Sequence, residues 1–328
     1  MSLKIIKPGV LDTVQDLGRT GYRYLGINPS GAMDRYSAQL SNALLGKKLD
    51  SAVIEMHFPA SHFLFQKTTI ACLTGADFSA TIDKLCIPLH QPFLIPASSL
   101  LQFKSLTSGA HCYLSLLHEL QVDEWLGSAS TNLKAVAGGW KGRKVEKDDC
   151  IFFKEDIDLT SLSSSQQPTI MHWKVFPSHV NNIIDCIKGP EWDWLTGEGQ
   201  WNFQNINFSI SNLSDRMGYR LFSEELEAEK NAEMISSAVD FGTIQLLPNG
   251  QLIILMADHQ TTGGYPRLAH VSSTALPSLA QLKPGSEIRF RFISLQEAED
   301  KLVQQRKYLE QLQNACKLKI ENFLHASL

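Results

Sequence analysis

At 328 residues the chain exceeds the size at which one hydrophobic core keeps growing, and 43% hydrophobic with 20% charged residues is ordinary for a folded globular protein. A net charge of −4 provides no electrostatic footprint for nucleic acid or an anionic membrane, while leaving small anions open as ligands. Pro8 and Gly9 interrupt the place of a signal-peptide core and no later run reaches spanning length, so a cytoplasmic protein is expected.

Short apolar or alternating runs at 52–58, 62–65, 69–73, 78–82, 99–103 and 111–117, separated by turn formers, predict a mostly β first half of barrel or sandwich type. One helix is expected there, over 36–45, with Asp34 as its N-cap and Gly46 as its stop. The serine-rich stretch 158–169 is the polar break between apolar segments, and it divides a β-rich domain at 1–165 from a second at 166–294. In the latter, 170–176, 206–210, 243–247, 252–257 and 287–293 read as strands and 180–187 as a helix. From Leu295 a row of Leu302, Leu309, Cys316 and Phe323 at seven-residue spacing predicts a long terminal helix over 295–328. Its second row, Ala298, Gln305, Leu312 and Lys319, suits docking on its own protein better than a coiled coil.

The six cysteines never form a C-x-x-C pair, and Cys72, Cys86 and Cys112 are expected as buried reduced thiols. His118-Glu119 begins like a zinc-protease helix motif, but Val122 stands where the second histidine belongs. No metal is expected in this chain.

Four polar segments are candidates for chemistry. In the apolar run Leu252–Ala257 followed by Asp258-His259-Gln260-Thr261-Thr262-Gly263-Gly264-Tyr265-Pro266-Arg267, a buried strand delivers a polar loop. Gly263 and Gly264 permit unusual backbone and close ligand approach, their amides suit an anion or oxyanion, Arg267 suits a carboxylate, and Asp258 suits a base. The alternative is a hairpin turn whose aspartate satisfies loop amides. His259 is a weaker base candidate, because in an extended segment it points away from Asp258 and Gln260. The second segment, Gly9 to Tyr22, holds Asp16 and Arg19, either as loop recognition groups or as one ion pair; the third carries Asp34-Arg35. The fourth, Ser211-Asn212-Leu213-Ser214-Asp215-Arg216-Met217-Gly218-Tyr219-Arg220, echoes it with the pair Asp215-Arg216, as a site or as a helix cap or turn with a surface ion pair.

Thr13-Val14-Gln15-Asp16-Leu17-Gly18-Arg19, Gly31-Ala32-Met33-Asp34-Arg35, Ser214 to Gly218 and Gln260 to Arg267, in this order, resemble the KipA-type, allophanate hydrolase subunit 2-like family of biotin-dependent carboxyltransferase proteins, which includes the C component of bacterial 5-oxoprolinase. The resemblance spans residues 9 to about 292 and implies two β-barrel-rich, cyclophilin-like domains. It implies a KipI-like B component and a LamB/YcsF-like A component as partners in opening the lactam of 5-oxoproline to glutamate with ATP. Related domains of urea carboxylase move a carboxyl group from carboxybiotin to urea, and a regulatory KipI-binding role without turnover is the third expectation. No biotin-attachment or ATP-grasp signature is present, so the chain is one component of a larger assembly. The expected site joins Asp258 and Arg267 as catalytic residues with Gln260, Thr261, Thr262, Gly263, Gly264, Tyr265, Asp16, Arg19, Asp34, Arg35, Asp215 and Arg216 as binding residues, the Asp16–Arg19 and Asp258–Arg267 loops meeting in one cleft. Three departures from the family pattern stand out: Leu116-Leu117-His118-Glu119-Leu120 for a small-residue, glycine-rich stretch; Ala129 for an arginine within Gly127-Ser128-Ala129-Ser130-Thr131; and Phe176-Pro177-Ser178-His179 for a Gly-Pro.

Overall fold

A computed structural model describes residues 2–155, 157–159, 162, 167–176, 180–229 and 234–325. Strand residues exceed helical ones by 33% to 20%, so the fold is mostly β. Two compact units are present, the first comprising Met1–Gly18, Asp34–Ser178 and Arg306–Leu328, the second Arg19–Met33 and His179–Gln305. The sequence break at 165/166 lies outside the described residues, as do Pro177, Ser178 and His179.

The first unit consists of two antiparallel sheets. One runs Leu120–Gln121, Cys150–Phe153, Ser2–Lys7, His62–Phe65, Leu100–Phe103, Ala80–Ile82, Leu85–Cys86. The other runs Thr169–Ile170, Phe93–Ile95, Thr69–Asp77, Ser108–Leu116, Val53–His57, Thr13–Gln15. Their apolar residues, among them Leu3, Ile5, Phe63, Phe65, Leu73, Phe93 and Leu114, form one core, as period-2 patterning requires. Of the expected strand over 170–176 only Ile170 is paired, in a two-residue strand.

The expected helix is found at Arg35–Leu44. Asp34 caps it with both carboxylate oxygens, accepting from Ser37 N at 2.8 Å and Ser37 Oγ at 2.6 Å, and its own N–H donates to Tyr113 Oη at 2.7 Å. Gly46, at φ +65°, ends the turn where a Cβ would lie 2.5 Å from Lys317 Cα. Asp34→Ala is expected to lower stability by about 1 kcal/mol, and Asp34→Ser to restore most of it, in urea melts.

The second unit is built on a closed barrel in the order Ile183–Lys188, Arg267–Val271, Thr243–Leu246, Leu252–Leu255, Gly218–Phe222, Phe208–Ile210, Glu287–Phe292. Closure comes from parallel pairing of Ile183–Lys188 with Glu287–Phe292, which leaves this sheet no open edge. The helix expected over 180–187 is therefore corrected to a strand: β-branched Ile183 and Ile184 pair with Arg289 and Phe290 along one edge, and Ile187 with His270 along the other. Helix Gly197–Asn205 has no counterpart among the expected elements; it begins at a Thr196 cap that accepts from Gly199 N at 3.0 Å and buries Phe203.

The terminal helix runs Leu295–His325. Leu309, Cys316 and Ile320 are buried, whereas Leu295 and Leu302 of the same apolar row are exposed, so docking is confined to the later turns. Cys72 and Cys112 are buried thiols, and burial pushes the Cys112 thiol up beyond its ordinary range. Cys86 is exposed on an edge strand, contrary to expectation. Among the described residues no helix is long and apolar enough to cross a membrane.

Candidate functional site

In the second unit the apolar strand ends at Leu255 and the chain turns at once, with His259 N bonded to Met256 O at 3.0 Å. The segment is thus not extended at Asp258, and the alternation expected for His259 does not apply. His259 is fully buried, its Nδ1 lying 2.5 Å from Gln260 O and its Nε2 3.8 Å from Asp240 Oδ1.

Asp258 is the centre of a polar knot. Arg216 Nε donates to Oδ2 at 2.8 Å, Arg216 Nη2 to Oδ1 at 3.2 Å, and Ser30 Oγ to Oδ1 at 2.5 Å. Arg216 Nη2 also donates to Gly31 O at 2.7 Å, and Asn28 Nδ2 to Asp258 O at 3.0 Å. Burial alone would raise the Asp258 pKa, but the Arg216 charge and hydrogen bonds, the Ser30 hydroxyl and the charge of buried Arg19 hold it below the usual range. Asp258 is therefore an ionised acceptor committed to named donors. The surface pair imagined within Asp215-Arg216 is replaced by a buried one reaching Asp258, while exposed Asp215 caps a turn through Met217 N at 2.7 Å and Gly218 N at 3.2 Å.

Thr262–Gly263 pairs with Ser237–Ala238 in a small ribbon, Thr261 is buried, and Gln260 is exposed. Neither Gly263 nor Gly264 has positive φ, so left-handed backbone is not what selects glycine there. Close approach is: a Cβ at Gly263 would lie 2.8 Å from Gln245 Nε2, and one at Gly264 3.2 Å from Met234 O.

Arg267 is clamped by Glu191, with Nε and the backbone N each 2.9 Å from Oε2 and Nη2 2.8 Å from Oε1. Burial opposes ionisation of Glu191, but the Arg267 bonds and charge prevail and its pKa is lowered. Gly189 makes this crossing possible, since a Cβ there would lie 2.1 Å from Arg267 O. Glu191→Ala and Arg267→Ala are each expected to cost about 2–3 kcal/mol by stranding a half-buried partner. The double variant should cost less than the sum of the singles in urea melts.

Two cavities flank Tyr265, whose side chain is exposed. One, of about 520 Å³, brings Asp215, Arg220, Gln245, Gln260 and Tyr265 to one surface; the other, of about 890 Å³, is lined in part by Gly264, Tyr265, Glu225 and Glu227. Gln245 is fully buried, its Nε2 donating to Tyr265 O at 3.2 Å, while Oε1 has no hydrogen-bond partner among the described residues. Sequence reasoning misses Gln245 and Glu191, and it places Ser30 and Arg220 inside polar segments without giving either a role. A glutamine at the centre of the run Thr243–Leu246 is the available signal.

The remaining candidates lie in the first unit, apart from Arg19. Asp16 organises the segment carrying the missing arginine: it accepts from Ser128 Oγ at 2.7 Å, Ala129 N at 2.6 Å, Ser130 Oγ at 2.5 Å and Gly18 N at 2.7 Å. Asp34 is the helix cap already described, and Arg35, half-buried, opens that helix. In the divergent 116–120 stretch, Glu119 lies 3.3 Å from buried Lys47 and His118 stacks on Phe153, so these residues have structural partners.

A carboxyltransferase domain, subdomain A and B, family model matches residues 25–292. Among relatives, the 5-oxoprolinase C subunit of Haemophilus influenzae is 33% identical over 92% of this chain and 94% of its own length, and that of Escherichia coli 33% identical over 98% and 100%. The crystal structure of the K. lactis urea amidolyase superposes with a TM-score of 0.86 at 26% identity, over 95% of this chain and 20% of that one, so the chain spans about a fifth of that enzyme. The chain belongs to the carboxyltransferase-domain family, subdomains A and B.

Proposed function

We propose that this chain is the C component of an ATP-dependent 5-oxoprolinase-like complex that opens the lactam of 5-oxoproline to glutamate. The observation that carries this reading is 33% identity, over 92% and 98% of this chain, to two proteins named as the C subunit of 5-oxoprolinase, against 26% to the urea amidolyase. The cavity beside Tyr265 supports it chemically. 5-Oxoproline offers a lactam N–H and a carboxylate; Gln245 Oε1 is an acceptor with no donor among the described residues, and Arg220 lines the same cavity. An unpaired buried amide oxygen costs about 1–3 kcal/mol, which a ligand N–H entering past Tyr265 would recover. Arg216 and Arg267 are already committed to Asp258 and Glu191, so Arg220 is the better candidate for the substrate carboxylate.

In this reading ATP acts at the level of the complex, with a KipI-like B component and a LamB/YcsF-like A component as partners. Carboxyl transfer from carboxybiotin to urea or a related amide is the second reading, favoured by the match to the carboxyltransferase family model. Urea and the biotin ureido ring also present N–H donors, so Gln245 fits either.

Coexpression with both partner components and measurement of glutamate from 5-oxoproline and ATP tests the first reading. Release is expected, with Arg220→Ala raising KM at least about tenfold and leaving the melting temperature unchanged, because Arg220 is exposed. An assembled complex that releases no glutamate overturns this reading, and carboxybiotin-dependent transfer to urea would then establish the second.

A further inference from the structure

Strands Val53–His57 and Ser108–Leu116 pair antiparallel with His57 opposite His111 and Glu55 opposite Tyr113. Side chains at 55 and 57 share a face, and so do those directly opposite them, so strand pairing assembles Glu55, His57 and His111 from residues remote in sequence. One ligand atom from each lies within 4.8 Å of the other two, and the histidine rings meet edge-on with centroids 4.6 Å apart.

We propose that Glu55, His57 and His111 form a binding site for one divalent transition-metal ion of the zinc class. Two imidazole nitrogens and one carboxylate are the donor set of three-ligand zinc sites with an open fourth position, whereas magnesium and calcium prefer oxygen alone. The supporting contacts suit this use. His57 Nδ1 lies 2.7 Å from Leu11 O, which fixes the proton on Nδ1 and leaves Nε2 as the ligand atom. Tyr113 Oη donates to Glu55 Oε2 at 2.8 Å, and Asp12 holds the His57 backbone N–H at 3.1 Å and Ser61 N at 2.6 Å, fixing the segment beside the site. Ligands about 2.1 Å from one tetrahedral ion stand about 3.4 Å apart. Glu55 and His111 are buried, so half-exposed His57 is the member with room to close that distance, and its side is the route of entry. The ion would pin two strands of the first unit to each other, while Leu11 and Asp12 tie the neighbouring segment to His57.

The test is Co²⁺ titration of the full-length, chelator-stripped protein, followed by visible absorption, with Zn²⁺ displacement and thermal melts. One Co²⁺ per chain is expected, with d–d bands of a low-coordinate site, bleached by Zn²⁺, and a melting temperature raised by either ion. His57→Ala should weaken binding at least about tenfold, while His62→Ala, on a strand of the other sheet, leaves it unchanged. His57→Gln, which keeps a polar side chain of similar reach, serves if the alanine variant fails to fold. A folded wild-type chain that neither develops the bands nor gains stability overturns the proposal. So does binding that survives loss of the His57 imidazole, or binding abolished by His62→Ala.

Discussion

Replacing Arg216 with alanine is expected to cost the second unit about 3–5 kcal/mol, because it leaves the Asp258 carboxylate buried without its counter-ion. The two side chains are only 9% and 16% exposed, so solvent cannot take over the vacated positions. The loss should depend on pH. In the native chain the Asp258 pKa is lowered, so its contribution is present above the unfolded carboxyl value of about 3.9 and is lost as pH falls through the lower folded value. Without Arg216 the burial effect opposing ionisation dominates, the sign reverses, and the folded state prefers the protonated acid. The stability gap between native and variant is then widest near pH 7 and narrows toward pH 4. Arg216→Ala/Asp258→Asn should recover a large part of the loss, because it removes the stranded charge itself. A pH-independent gap, or a double variant no more stable than Arg216→Ala alone, would show that the pair is not what holds the knot.

The parts of the fold legible in sequence are those whose signal is local. His62–Phe65 and Leu100–Phe103 alternate apolar and half-exposed residues, and Arg35–Leu44 has a cap and a glycine stop written beside it. Ile183–Lys188 reads wrongly as helix because Ile183, Ile184 and Ile187 also fit one helical face, and the barrel partners that decide the matter lie more than 75 residues away. The site follows the same rule. A polar loop after Leu252–Leu255 is visible, but Asp258 and Arg216 are 42 positions apart and Arg267 and Glu191 are 76 apart. Nothing in the spacing of Arg267 distinguishes an arginine free to grip a substrate from one already gripped by a glutamate. Partner identity is a property of barrel register, and this is why Gln245, and the meeting of Arg220 with it, emerge only from the folded chain.

Phe203→Ala is expected to cost about 3–5 kcal/mol, comparable to the loss at Arg216 but from packing alone. Phe203 is fully buried, stacked on Phe290 with ring centroids 4.7 Å apart and on Phe292 at 5.5 Å, and edge-on to Trp192 at 5.2 Å. Truncation removes the ring on which the others converge, whereas Phe203→Leu retains most of the volume and should cost roughly half as much in urea melts. The effect has a route to the candidate site. Trp192 N bonds to Gly189 O at 3.3 Å, and between these two residues lies Glu191, the clamp on Arg267. If the aromatic cluster holds that segment in place, Phe203→Ala loosens the clamp, and combining it with Glu191→Ala costs less than the sum of the single losses. Strict additivity would mean that the backbone crossing at Gly189 fixes Glu191 by itself, and that the cluster contributes stability without positioning the Arg267 loop.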